Sequence, residues 1–159
     1  LQTRYSPRIM RVVVQRVLEA SVVVSNTAVA VISKGLLVLL GIAHTDTQED
    51  IDWLVKKISQ LRIFEDASGQ MNASLQDVQG ELIVVSQFTL LAATKKGNRP
   101  SYIKAAKPEV AEPLYEAFAL AMEQALGKKI GRGIFGADMK VSLINDGPVT
   151  IVIDSQQKE

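Results

Sequence analysis

Gly35-Leu36-Leu37-Val38-Leu39-Leu40-Gly41-Ile42-Ala43 contains no polar side chain. The run is far too short to span a bilayer. Its apolar character from Leu36 to Ile42 is that of a strand buried on both faces. Upstream, Lys34-Gly35 breaks the pattern, and Met10 to Ser33 is dense in β-branched residues. Arg11 to Leu18 reads as one strand, Ala20 to Ser25 as the next, and Asn26-Thr27 as a tight turn into a third, Ala28 to Ser33. Downstream, Ile51, Leu54, Val55, Ile58 and Leu61 repeat at helical spacing and form one buried stripe. Asp46 or Thr47 is placed to cap that helix. Glu49, Asp50 and Asp52 near its start and Lys56 and Lys57 later match its dipole. That charge order describes a solvated face and carries no functional weight.

Glu65 to Gly80 reads as loop, with a turn at Asp66-Ala67-Ser68-Gly69, and Glu81 to Gln87 as a second buried strand. Asn98 to Lys107 is irregular. A second helix is predicted from about Glu109 to Leu126, with Val110, Leu114, Phe118, Met122 and Leu126 as its stripe and Gly127 as its terminating glycine. Pro113 belongs in a first helical turn, which argues for a start a few residues late. Met139 to Ile144 and Val149 to Ile153 are the last strands. Strands at both ends with helices between them give an α/β fold, helices packed on a mixed sheet in a single domain. Residues 1–9 read as an N-terminal extension or leader ahead of a start at Met10, without the apolar core of a signal peptide. The domain proper is then 10–159.

The 159 residues carry a net charge of +1, no Cys and one His, His44. A Cys nucleophile is excluded and no spacing supports a metal cluster, so no metal and no cofactor is expected. His44 suits a loop or helix entry better than catalysis. Trp53 lies off its helix stripe and packs under a loop or at a subunit contact. Met71, Met122 and Met139 read as gap-fillers. Balanced charge argues against DNA or membrane as a partner, and absence of Cys fits a cytoplasmic protein. Charge is nevertheless uneven. Five basic residues (Lys95, Lys96, Arg99, Lys104, Lys107) and no acid lie between Ala92 and Lys107, while Lys128, Lys129, Arg132 and Lys140 accompany only Asp138 between Gly127 and Lys140. Either both stretches are ordinary solvated loops, or they hold a polyanion beside a site.

Two strings bear on chemistry. Ser86-Gln87-Phe88-Thr89-Leu90 closes a buried strand with backbone N–H groups, an amide and a hydroxyl, donors that suit an oxyanion in acyl chemistry. Thr89 has no sequence neighbour to take its proton, and the alternative reading is a strand end whose Ser and Thr bond to backbone. Asn145-Asp146-Gly147-Pro148-Val149-Thr150 reads as a hairpin turn between two strands, complicated by a proline where the return strand should begin pairing. The isomer of the Gly147–Pro148 bond stays open on the residues alone.

Taken together, Val14-Gln15-Arg16-Val17, Gly35 to Gly41, Arg62-Ile63-Phe64, Gly69-Gln70-Met71-Asn72, Val85 to Leu90, Arg99-Pro100-Ser101, Phe135 to Met139 and Asn145 to Thr150 resemble the D-aminoacyl-tRNA deacylases over Met10 to about Ile153. Tyr102, where Phe is usual, and the leader are the departures. The resemblance implies a three-layer deacylase-like fold. It further implies a homodimer with a cross-subunit active site that hydrolyses the ester of D-aminoacyl-tRNA, with glycyl-tRNA as a related substrate and the aminoacyl-tRNA 3′ end as the partner. Carried over residue by residue, Gln87, Phe88 and Thr89 would serve the ester carbonyl. Gly147 and Pro148, joined by a cis bond, would present main-chain carbonyls to the substrate α-carbon, with Arg16 orienting them. Phe135 would receive the terminal adenine, and Ser86, Asn145 and Arg99 complete the substrate-binding set. The ribose hydroxyl beside the ester would assist, so the protein needs no strong base of its own. Two other readings stand beside it: a deacylase of L-mischarged tRNA with a trans Gly-Pro bond, and a non-catalytic dimeric RNA-binding module.

Overall fold

The computed structural model describes residues 9–158, so the predicted leader lies outside the described residues save for Ile9. The elements run β1 (Arg11–Val24), β2 (Thr27–Ile32), β3 (Gly35–Gly41), α1 (Gln48–Gln60), β4 (Phe64–Glu65), β5 (Met71–Ala73), β6 (Glu81–Ser86), a 3-10 turn (Phe88–Leu91), α2 (Pro108–Leu126), β7 (Gly131–Arg132) and β8 (Lys140–Asp154). The main sheet has the order β2-β1-β3-β6-β7, and β8 pairs with β1 as well. β3, β6 and β7 are mutually parallel and all other pairs in that sheet antiparallel, the mixed sheet expected. Each parallel step needs a long crossover; α1 lies in the first and α2 in the second.

The helices pack on each other and on one face of the sheet. Leu36, Val38 and Leu40 of β3 face that layer with Leu82 and Val84 of β6. Leu37, Ile83 and Val85 face a second core with Val17, Ala20 and Val22 of β1 and Ala30 and Ile32 of β2. The apolar run therefore is buried on both sides. At Gly35 the packing is closest, since a Cβ there would fall 1.8 Å from the Glu81 carbonyl oxygen. Gly35→Ala forces two backbones apart, and its cost is expected at or above the upper end of the roughly 1–3 kcal/mol typical of overpacking. A lowered urea midpoint at unchanged m would register it; an unshifted midpoint would contradict this packing.

Several predicted boundaries move. Arg11–Leu18 and Ala20–Ser25 are not two strands but one, because β8 pairs along it from Arg11 to Val23 and carries it through a bulge around Val17–Glu19. The bulge shifts the alternation: Val12 and Val14 face the helices, whereas Ala20 and Val22 face the second core. The turn into β2 centres on Ser25 and Asn26, both left-handed (φ 49° and 64°), one residue earlier than predicted. Residues 64–73 form a short hairpin around Asp66, whose carboxylate accepts from Ser68 and Gln70 N–H. The predicted stripe of α1 holds through Ile58, with Leu61 as the C-cap. That of α2 holds at Phe118 and Met122, with Leu114 and Leu126 partly buried against the core, and is widened by buried Ala111, Tyr115 and Ala119, while Val110 is exposed. α2 starts at Pro108, so Pro113 lies inside it; Pro113 and Glu109 are both exposed, and water can satisfy the carbonyl left without its partner. Gly127 ends it at φ 70°. Met122 is core, as read, but Met71 is exposed.

Thr47 is the N-cap of α1, its N–H donating to Asp50 Oδ2 at 2.9 Å. Asp46 is instead buried, with Oδ2 accepting from Ala43 N–H (2.6 Å) and Oδ1 from Ile9 N–H (2.8 Å). Burial raises its pKa to about 7 against those two bonds, with the negative charges of Asp50 and Asp154 adding to the rise. A folded pKa above the unfolded value favours the protonated form in the native state. The stability from Asp46 is thus complete below about pH 4 and is lost as pH rises through about 7. The difference in unfolding free energy between wild type and Asp46→Asn is expected to shrink over that interval; a difference constant with pH would contradict the assignment.

Candidate active site

β8 is one continuous strand, and the predicted hairpin at Asn145 to Thr150 is not there. The residues instead form an excursion within the ladder. Gln15 pairs with Thr150 and Val17 with Asn145, so Arg16 alone on β1 opposes Asp146, Gly147, Pro148 and Val149. Asn145 closes the base of this excursion: its Nδ2 donates to Val149 O and Thr150 Oγ1, both at 3.1 Å, and its Oδ1 accepts from Val149 N–H at 2.8 Å. Turn-forming residues followed by a strand therefore mark a bulge that the partner strand carries past. The missing N–H of Pro148 breaks no ladder bond, because Pro148 pairs with nothing on β1.

Arg16 sits beneath, 8% exposed. Its Nε donates to the Asp146 carbonyl at 2.9 Å and its Nη1 to the Ile63 carbonyl at 2.6 Å. The Asp146 carboxylate lies 3.7 Å from Nε. A planar guanidinium bridging two carbonyls fixes the excursion to the chain after α1. Gly147 has φ 148°, and a Cβ there would meet Val149 Cγ2 and N at 2.8 Å. The Gly147–Pro148 bond is cis. Both residues are exposed.

The other string ends β6. Gln87 N–H donates to Leu40 O at 2.8 Å, extending the ladder with β3 by one bond, and the chain then tightens into the 3-10 turn, with Leu90 N–H on Gln87 O. The N–H groups of Phe88 and Thr89 precede that first bond and are the donors a turn of this kind leaves outward. Gln87 Nε2 donates to Thr89 Oγ1 at 3.0 Å. The Thr89 hydroxyl is so tied to an amide, which is no base.

Beside this turn lies a cavity of about 450 Å³, walled by Ser86, Phe88, Tyr102, Phe135 and Met139 and edged by Lys107. Phe88 and Tyr102 meet edge to face, centroids 4.9 Å apart. Phe135 leans on Tyr115, centroids 6.1 Å apart. The buried Tyr115 hydroxyl lies 3.1 Å from Val84 O and 3.0 Å from Gly133 O, and burial, with the Glu116 charge, pushes its pKa up to about 12. It therefore stays a neutral donor that holds the chain leading into Phe135. An apolar, aromatic-walled cavity with a cation at its edge suits a planar heterocycle.

Of the predicted residues, Ser86, Phe88 and Phe135 share this cavity, with Gln87 and Thr89 on the adjoining turn. Arg16, Asn145, Gly147 and Pro148 form the second group, and Gly147 and Pro148 line no part of the cavity of their own chain. Arg99 is exposed and outside the cavity lining. His44 is exposed and equally outside it. Trp53 is half-buried on α1, with the Lys57 and Lys158 ammonium groups 5.5 and 4.8 Å from its ring. Sequence reading missed Tyr115, whose signal was the i, i+3, i+4, i+7 set that begins at Ala111. Tyr102 stands out in the sequence only as a departure, and Met139 reads there as a gap-filler although it walls the cavity. Among the described residues no helix is long and apolar enough to cross a membrane.

Residues 13–154 match the family described as D-Tyr-tRNA(Tyr) deacylase. A protein named D-aminoacyl-tRNA deacylase from Flavobacterium psychrophilum is 65% identical over 150 residues, 94% of this chain and all of the relative. One of the same name from Bacteroides thetaiotaomicron is 62% identical over the same shares. Among solved structures, one titled c-Myc DNA Unwinding Element Binding Protein superposes with a TM-score of 0.85 at 44% identity, covering 91% of this chain and 97% of that one. Another, titled as a probable eukaryotic D-amino acid tRNA deacylase, gives 0.81 at 18% identity over 92% and 99%, a likeness of fold. By sequence over nearly its whole length, the chain belongs to the D-Tyr-tRNA(Tyr) deacylase family.

Proposed function

We propose that the protein hydrolyses the ester joining a D-amino acid to the 3′-terminal adenosine of tRNA, releasing the free D-amino acid and tRNA. It works as a cytoplasmic homodimer in which each site takes its second half from the other subunit, and glycyl-tRNA is a further substrate. The observation that carries this reading is the division of the site. An open aromatic cavity and an exposed, rigidly braced Gly147–Pro148 segment occur on one chain without sharing a wall. A two-fold partner supplies the missing half of each.

In the assembled site the adenine stacks on Phe135 and the ester carbonyl faces the backbone N–H groups of Phe88 and Thr89. Water adds to that carbonyl, the N–H donors hold the resulting oxyanion, and the C–O bond to the ribose breaks. The neighbouring ribose hydroxyl of the substrate relays the proton of the attacking water to the departing ribose oxygen, so no protein base is required. The partner's main-chain carbonyls at positions 147 and 148 receive the substrate ammonium. They leave no room for an L side chain, and backbone cannot rotate aside as a side chain would. The D side chain points away and is not read.

With D-Tyr-tRNA and L-Tyr-tRNA as substrates, tyrosine is expected to be released from the first and retained on the second. Release from both at one rate, or from neither, would sink the reading. The L-specific alternative requires a trans Gly-Pro bond, and the bond here is cis; binding without release would favour the RNA-binding module. Thr89→Ala should keep kcat within about tenfold, the scale of one ordinary hydrogen bond, since its hydroxyl accepts from Gln87 Nε2 and is not one of the backbone oxyanion donors. A collapse of kcat with KM unchanged would make Thr89 the nucleophile.

A further inference from the structure

The two basic stretches, alike in sequence, are unlike in structure. In the 127–140 stretch, Arg132 bridges Glu116 Oε2 (2.8 Å) and Glu123 Oε1 (2.6 Å), and Lys140 Nζ lies 3.1 Å from Asp138. Lys128 Nζ donates to Gln79 O at 3.2 Å. Lys128 and Lys129 also follow the C-terminus of α2, whereas Pro108 and Ala111 near its N-terminus line the aromatic cavity. The length of α2 puts them roughly 27 Å from Pro108, at 1.5 Å per residue, although Phe135 and Met139 of the same stretch wall the cavity.

The 92–107 stretch is the reverse. It leaves the 3-10 turn directly, is pinned by bridges at Ala93–Ser101 and Ala43–Ala105, and returns at Lys107 on the cavity's edge. Lys95, Lys96, Arg99, Lys104 and Lys107 are exposed, and among the described residues none forms an ion pair. Unneutralised cations on a pinned arm at the mouth of a base-sized cavity match a chain of phosphates that ends in a nucleoside.

We propose that residues 93–107 are the surface on which the sugar–phosphate backbone of the tRNA acceptor stem lies while its terminal adenosine occupies the aromatic cavity, and that Lys128, Lys129 and Arg132 take no part in holding that backbone. The proposal rests on the deacylase reading for the identity of the RNA, but its test does not depend on catalysis. Binding of fluorescently labelled, deacylated tRNA would be followed by anisotropy between about 50 and 200 mM KCl. Lys95→Ala/Lys96→Ala should weaken binding on the order of tenfold near physiological salt and lower the slope of log K against log salt by about one to two. Lys95→Arg/Lys96→Arg should restore both, and the thermal midpoints of all variants should match wild type. Lys128→Ala/Lys129→Ala should leave binding and slope as in wild type. An unchanged slope in the first variant, an equal loss in the last, or no rescue by arginine would overturn the assignment. If wild type releases no D-Tyr from D-Tyr-tRNA, the deacylase reading fails, and the anisotropy still decides whether this arm binds RNA.

Discussion

Gly147→Ala is expected to lower kcat/KM for D-Tyr-tRNA on the order of 100-fold, the scale of an approximately 1 Å misplacement at a reacting centre. The residue lies at φ 148°, where an L side chain is strained, and the new methyl would press on Val149 Cγ2 and N, both 2.8 Å from its position. Val149 is itself held by Asn145, so the excursion has no slack side on which to relax. The carbonyl at 147 must shift, and in the proposed site that carbonyl is what the substrate ammonium meets. Exposure of Gly147 keeps the cost away from the core, so the thermal midpoint should fall by only a few degrees. Activity within threefold of wild type would show that the excursion does not touch the substrate.

Arg16→Lys is the second large effect. One ammonium cannot reach both the Asp146 and Ile63 carbonyls as the guanidinium does at 2.9 and 2.6 Å. The lost bond leaves a carbonyl in a buried setting, at about 1–3 kcal/mol of stability. The excursion also loses its brace, and activity should drop on the order of 100-fold, mainly in kcat. Arg16 acts through the excursion, so discrimination between D- and L-Tyr-tRNA should narrow as well. A structural role alone would lower stability and leave the D-to-L ratio as it was.

The layers were legible because apolar runs report burial directly: Leu36 to Ile42 gave a two-sided strand, and Ile51 to Ile58 a helix stripe. Positions set by pairing were not. Nothing in Asn145 to Thr150 distinguishes a hairpin from a bulge, since that depends on whether β1 runs past it, and Arg16 of β1 stands 130 positions from Asp146 in the chain. The same pairing carries β1 through Leu18–Glu19, which its own sequence marks as a break. The widening of the α2 stripe to Tyr115 brings in a buried hydroxyl that finds two carbonyls no sequence pattern announces. Both chemical strings were visible; that they stand as two separate groups on one chain was not.

Subunit mixing tests the shared site most directly. Gly147→Ala damages the donated segment, and Phe135→Ala the receiving cavity, so each variant homodimer should be nearly inactive. In a mixed dimer one site joins an undamaged cavity to an undamaged segment. Random reassortment of equal amounts through denaturation and refolding should therefore recover about a quarter of wild-type activity, one good site in half of the dimers. Activity that stays at the level of the separate variants, with mixed dimers shown to be present, would mean that each chain builds its site alone, and that handedness is not sensed by the main chain of a neighbour.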